Sequence, residues 1–227
     1  MGDVAATGST AWRATRGECD GEAPRLERSD GGGSWSEVQI DAAAIYRLPF
    51  TEPSVGFVVG AGESCKPVVF TTGDGGESWQ EVAADQTWAP LPKGEALVPG
   101  GGRVTVCEES EVVSLAPAGG AAAWAVCDDG RLLRGTSGDA PWEEVSEVSA
   151  ATSVAAEGGR LLVTSTGEDC DGLLVASGST DDEALGEPVC VQGARGALAA
   201  MTAEGGVLVA ERQRWTSTDL TTWAPAA

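Results

Sequence analysis

The chain has 227 residues, 35 of them acidic against 14 basic, and not one histidine, for a formal charge of −21. Such a surface repels phosphate backbones and anionic lipid headgroups, which argues against nucleic acid and membrane surfaces as partners. Without imidazole the sequence lacks the usual general base at neutral pH, the Ser–His and Cys–His nucleophile pairs, and the commonest metal ligand.

The 32 glycines and 11 prolines break the chain into short apolar runs. No helical period is sustained and no apolar stretch reaches about eighteen residues, so the reading is all-β without a membrane-spanning helix. Residues 1–9 are small and polar, either a leader or a first, weak strand. Alternation over 10–16 predicts a strand, followed by a turn holding Cys19 and Asp20-Gly21, an extended stretch over 24–29, and a strand over 35–40. The plan returns more clearly at 44–50, 55–60, 68–72 and 79–82, with Cys65 in the middle hairpin. Between 83 and 111 the rhythm slips: 88–92 reads as an extended loop, 100–102 as a glycine turn and 104–107 as a strand. Strands over 112–115, 122–127, 131–136 and 142–145 follow. Those over 150–156, 161–166, 173–177 and 187–191 make a further unit, and those over 198–202, 207–211, 214–218 and 222–226 the last.

One stretch organises this pattern. Thr72-Gly73-Asp74-Gly75-Gly76-Glu77-Ser78-Trp79 reads Thr-x-Asp-x-Gly-x-Ser-Trp. An Asp at that place accepts backbone N–H bonds from the residues after it, glycines take the positive φ of a tight turn, and the Trp buries its ring at the head of the next strand. Degraded copies recur: Arg28, Asp30, Gly32, Ser34 and Trp35; Ser137, Asp139 and Trp142; Ser179 and Asp181, with Leu185 in place of Trp; Ser217, Asp219 and Trp223. Successive aspartates lie 44, 65, 42 and 38 residues apart, a period of about forty in which the 65-residue gap is the anomaly.

The motif resembles the Asp-box (BNR) repeat of the sialidases, the sortilin-type receptor propellers and the photosystem assembly-factor propellers. The resemblance implies a β-propeller with the motif between the last two strands of each blade. The predicted strands number 20, or 21 with the weak first one, which in four-stranded antiparallel blades gives five. On that count 83–111 is an insert with one spare strand; six blades, one of them irregular, is the alternative. The six cysteines are even in number, spaced singly and without a Cys-x-x-Cys, which favours three disulfides in an oxidising compartment over zinc. Fifteen pairings are open. Propeller geometry suggests the sequential one: Cys19 with Cys65, Cys107 with Cys127, Cys170 with Cys190.

Candidate chemistry is sparse. Resemblance to the sialidases would imply three arginines on a substrate carboxylate, a tyrosine nucleophile and an Asp acid/base. The one tyrosine, Tyr46, falls mid-strand, Arg13, Arg47, Arg103, Arg131 and Arg160 fall on or beside strands, and no Arg-Ile-Pro precedes the first copy. The adjacent pairs Glu108-Glu109, Glu143-Glu144 and Asp182-Glu183 read as solvated edges, because neighbours on a strand point to opposite faces. The acidic turns at 168–172 and 181–183 lack the spacing of a calcium loop, so no metal and no cofactor is expected. Four tryptophans belong to the repeat, and Trp12 and Trp124 read as packing residues of second strands. Trp88, in the proline-flanked loop of the irregular stretch, is the candidate exposed recognition residue. Val55-Gly56-Phe57-Val58-Val59-Gly60 before the complete motif resembles the photosystem assembly-factor blades, which bind proteins and are not catalytic. The reading is one propeller domain over 1–227: monomeric, extracytoplasmic (secreted, or anchored through a segment beyond this sequence) and non-catalytic. It binds or assembles a protein partner with a basic face. The alternative is a carbohydrate-active protein that recognises glycans, lectin-like or sialidase-like.

Overall fold

Radial position decides what each strand is made of. The computed structural model describes residues 2–31, 34–84, 87–100, 102–119, 122–136, 141–181, 184–210 and 213–226, which form 23 strands in six antiparallel sheets. Blade 1 is β1 (Gly2–Thr7), β2 (Thr10–Thr15), β3 (Arg25–Asp30) and β4 (Ser36–Val38), and blade 2 is β5 (Ala44–Arg47), β6 (Gly56–Ala61), β7 (Pro67–Thr72) and β8 (Gln80–Ala83). Blade 3 has three short strands, β9 (Ala89–Pro90), β10 (Glu95–Leu97) and β11 (Arg103–Thr105). Blade 4 is β12 (Val112–Pro117), β13 (Ala122–Cys127), β14 (Arg131–Thr136) and β15 (Glu143–Glu147). Blade 5 is β16 (Ala151–Glu157), β17 (Arg160–Ser165), β18 (Gly172–Ser179) and β19 (Val189–Gln192). Blade 6 is β20 (Leu198–Thr202), β21 (Gly205–Val209), β22 (Arg214–Ser217) and β23 (Ala224–Ala226).

Second strands are sandwiched between neighbouring blades and bury both faces. β13, β17 and β21 are therefore nearly continuous apolar runs rather than alternating ones, whereas β8 and β23, at the rim, are exposed throughout. The first strand of each blade packs on the first strand of the next, and β20 closes on β1. The chain is a six-bladed β-propeller. Closure at the chain ends relies on side chains: Val4, Ala6 and Ala11 pack on Ala200, Val207 and Val209, and Arg214 donates to the carbonyls of Ser9 and Gly8 at 3.2 and 3.0 Å.

The five-bladed expectation is corrected to its six-bladed alternative, because 83–111 is a blade and not an insert. Its strands span two or three residues each, too few for alternation to show, and the stretch expected to be an extended loop contains β9. Its direction differs as well. Thr87 and Trp88 line the axis beside Pro49 and Thr51, at the far end of β5, while Pro92 lies with Gly2, Ala44 and Val112 at the starts of β1, β5 and β12. β9 thus runs counter to the other axial strands. Parity demands this, since a three-stranded blade must be entered from the opposite face to release the chain where β12 begins. Residues 1–9, expected as a leader or weak strand, contain β1, the axial strand of blade 1.

Blades 1 and 2 are joined by aromatics. Trp12, 0 % exposed, stacks on Phe50 at 3.8 Å between centroids, and Phe50 meets the edge of Trp79. Gly56 makes room for that ring, since a Cβ there would lie 2.1 Å from Phe50. Of the three disulfides expected, Cys107–Cys127 and Cys170–Cys190 are formed, and the third is corrected, since Cys19 and Cys65 carry free thiols.

Candidate binding mouths

Two faces of the ring differ in chemistry. Hairpins between third and fourth strands open on one, here the aspartate face. In the four-stranded blades the second-to-third hairpins open on the other, the cysteine face, where all six cysteines lie.

On the aspartate face the turns are internally satisfied. Asp74 accepts from the Thr72 hydroxyl at 2.7 Å, from the Ser78 N–H at 3.0 Å and from the Ser78 hydroxyl. Thr72 in turn accepts the Gly76 N–H at 2.9 Å, with Gly75 and Gly76 at φ 75° and 95°. Asp219 accepts from the Ser217 hydroxyl and from the N–H groups of Thr221 and Thr222 at 2.9 and 2.7 Å. These donors, Ser78 foremost for Asp74 and Thr222 for Asp219, hold both carboxyls well below the usual carboxylate range. Asp30 takes Arg28 and Thr10 as partners, and the Asp181 N–H donates to Ser179 Oγ at 3.1 Å. Ser137, Asp139, Asp182 and Glu183 lie outside the described residues, as does Gly32. Trp35 lies under the Arg13 guanidinium at 4.3 Å, and Trp223 donates its indole N–H to the Leu220 carbonyl. Each bonded group named among the described residues has a structural task.

The channel between the faces holds a cavity of about 450 Å³ walled by small residues such as Ala5, Ala116, Ala155 and Ala199. One charged pair interrupts this wall. Asp3 accepts the Leu48 N–H at 2.7 Å, and Arg47 donates to the Trp88 carbonyl at 3.0 Å. Burial pushes the Asp3 carboxyl up and the Arg47 guanidinium down, each opposed by the charge of the other.

The cysteine face carries a cavity of about 940 Å³ over the near mouth of the channel. Its floor is Ala44, Tyr46, Pro92, Val112 and Val113. Glu18, Glu22, Glu111 and Asp128 stand on its rim with Arg16 as their one cationic neighbour in the lining. The rim is held in place by backbone bonds. The Arg16 carbonyl accepts from Ile45 N–H at 2.7 Å and the Glu22 carbonyl from Glu18 N–H at 2.9 Å. The Lys93 N–H donates to both oxygens of Glu111, and the Glu111 N–H donates to Asp128 at 3.1 Å. Beside it a shelf of Glu108, Glu109 and Asp129 surrounds Arg131. Arg131 pairs with Asp129 at 2.7 Å, which lowers that carboxyl and raises the guanidinium.

Trp88, expected to be exposed, is 4 % exposed and meets Trp142 edge-on at 6.0 Å between blades 3 and 4. A proline-flanked tryptophan reads alike in sequence whether it packs inward or outward. The five arginines weighed for a carboxylate clamp sit on β2, β5, β11, β14 and β17, one in each of five blades. Arg13 pairs with Glu27 at 2.8 Å and Arg103 with Glu95 at 3.7 Å, and Arg160 donates to the carbonyls of Thr202 and Ala203. Tyr46 lies 5.5 Å under the Arg16 guanidinium, and burial pushes its phenol upward, away from an activated nucleophile. Sequence reading passed over the rim of the cysteine mouth. Its only local signal was that acid-rich turns at 18–22, 108–111 and 128–129 each lie beside a predicted strand.

No protein-family model matches the chain, and no curated protein matches it by sequence. Solved structures do match. YCF48 bound to D1 peptide is 18 % identical at TM-score 0.50, over 96 % of this chain and 77 % of that one. PorZ, a bacterial surface component of the type-IX secretion system of Porphyromonas gingivalis, is 11 % identical at TM-score 0.55, over 98 % of this chain, which spans 32 % of that one. The Aleuria aurantia lectin in complex with alpha-methyl-L-fucoside is 11 % identical at TM-score 0.59, over 100 % of this chain and 94 % of that one. Likenesses of this depth show the β-propeller fold.

Proposed function

We propose that this chain is an Asp-box propeller acting outside the cytoplasm as a non-catalytic protein-binding scaffold, and that the cysteine mouth takes a basic segment of its partner. The observation that carries the reading is the union there of an apolar floor with four rim carboxylates against one arginine. An apolar centre inside a polar rim is the usual anatomy of a protein interface, and the volume is in the range of ligand sites. The floor suits an aromatic or aliphatic side chain, and the rim suits flanking lysines or arginines. Support for the wider frame comes from a solved propeller bound to a peptide, from the surface location of PorZ, and from the two disulfides.

The test is fluorescence anisotropy with three labelled peptides sharing a central tryptophan and flanked by lysines, glutamates or serines. Binding is expected for the lysine peptide alone. It weakens in Glu111→Gln/Asp128→Asn, and it weakens between about 0.1 and about 1 M salt as the Debye length falls from about 10 to about 3 Å. Equal affinity for the lysine and glutamate peptides, or competition by free monosaccharides, would move the carbohydrate reading to first place.

A further inference from the structure

The two free thiols belong to neighbouring blades and face each other. Cys19 sits in the loop after β2, and Cys65 in the hairpin after β6, both on the cysteine face. Cys19, Cys65 and the Tyr46 phenol are electrostatic neighbours of one another. Each loop is fixed by bonds of its own. The Gly21 N–H donates to the Glu18 carbonyl at 3.0 Å, and the Cys65 N–H to the Gly62 carbonyl at 2.9 Å, with Cys65 in the left-handed region at φ 58°. Each thiol is therefore carried on a loop with order of its own. One bonded pair already spans the joint from blade 3 to blade 4 on this face, joining the segment after β11 to the end of β13.

We infer that Cys19 and Cys65 form a dithiol–disulfide couple that closes a third bond, stitching blade 1 to blade 2 at the wall of the cysteine mouth. Closure is thiol–disulfide exchange with a low-molecular-weight disulfide. Cys65 is exposed, and its thiolate attacks one donor sulfur, forming a mixed disulfide and releasing one donor thiolate. Cys19, the less exposed of the two, follows second. After losing its proton, its sulfur displaces the other donor thiolate and the Cys19–Cys65 bond forms. Two protein thiols give up two protons and two electrons, and the donor disulfide becomes two thiols. The inference holds whether or not the mouth takes a peptide.

The folded chain is incubated with about 1 mM reduced and oxidised glutathione, acid-quenched, alkylated, digested without reduction and mapped by mass spectrometry. The expected product is a cross-linked pair of peptides holding Cys19 and Cys65. It should outnumber the glutathionylated forms by at least roughly ten to one, because the second thiol attacks from within the same folded surface. Cys107–Cys127 and Cys170–Cys190 remain intact, and Cys19→Ser leaves Cys65 carrying glutathione alone. Separate glutathione adducts on Cys19 and Cys65 in the unaltered chain overturn the inference, as do two thiols still alkylated at equilibrium or a bond from either to another cysteine. The unaltered chain decides the matter even if the variant fails to fold.

Discussion

Removing Cys107–Cys127 through Cys107→Ala/Cys127→Ala should cost more than removing Cys170–Cys190 in the same way, although each bond joins residues 20 apart. In the chain-entropy model, cross-linking a loop of about 20 residues removes about 11 cal/mol/K, or about 3 kcal/mol at 25 °C, and both bonds share this term. Packing separates them. Cys107 and Cys127 are 1 % and 0 % exposed and lie among Trp88, Val106, Val112 and Leu115. Deleting their sulfurs opens a void of roughly two methyl groups, at about 1 kcal/mol each. Cys190 is half-buried, so part of its lost volume fills with solvent. The expected losses are about 5 kcal/mol for the first pair and about 3 kcal/mol for the second. Function follows stability here, because Glu108 and Asp128 are the next residues after Cys107 and Cys127, and the rim loosens when the bond is gone. Urea unfolding read by tryptophan fluorescence supplies the midpoints, with an unchanged slope as the check on comparability. The lysine-flanked peptide supplies the second readout, weakened in the first variant only. Equal losses, or a larger one for Cys170→Ala/Cys190→Ala, would refute the packing account.

Trp88→Ala should cost about 3–5 kcal/mol, since it empties the joint between blades 3 and 4. At about 2–4 °C per kcal/mol for a chain of this size, calorimetry should show a fall of roughly 6–20 °C, and an unchanged Tm with lost peptide binding would restore Trp88 as a surface contact. Asp74 has a folded pKa below its unfolded one, so its contribution is present above about pH 4 and is lost as pH falls through the depressed value. The Tm gap between the native chain and Asp74→Asn should therefore close below about pH 4, and a gap that stays constant to lower pH would count against the turn bonds. Asp3 has the opposite sign. Its folded pKa is raised, so its contribution is present below about pH 4 and is lost as pH rises through the raised value. Asp3→Asn should melt above the native chain at neutral pH and match it in acid, and a lower Tm at pH 7 would show that the Arg47 charge outweighs burial.

What the sequence disclosed was whatever is decided within a few residues. The side-chain bonds that Thr72 and Asp74 make in the complete turn stay within residues 72–78, so composition over a handful of positions announces them. Blade 3 has no such turn, and Pro90 and Pro92 remove two backbone donors from a sheet whose strands span two or three residues. Its identity rests on where it sits between β5 and β12, which no local pattern encodes. The cysteine mouth is harder still. Arg16, Glu18, Tyr46, Pro92, Glu111 and Asp128 come from blades 1 to 4 and become neighbours only when the ring closes. Each acid alone is indistinguishable from a solvated one.

Ring closure also explains where the positive charge goes. Arg28 donates to the Gly75 carbonyl, Arg47 to Trp88, Arg131 to Glu108, Arg160 to Thr202 and Ala203, Arg214 to Gly8 and Ser9, and Arg13 to Ala210. Each bond reaches a neighbouring blade or the segment joining two blades. Carbonyls at the ends of blades lie beyond the strand ladders and need donors from elsewhere. A guanidinium supplies several donors in one rigid plane, which suits it to that task better than an ammonium. Six of the twelve arginines are thereby engaged in holding blades together, while most of the 35 carboxylates are left to the surface. On the function proposed above, a partner at the cysteine mouth meets those carboxylates and is the side that brings the cations.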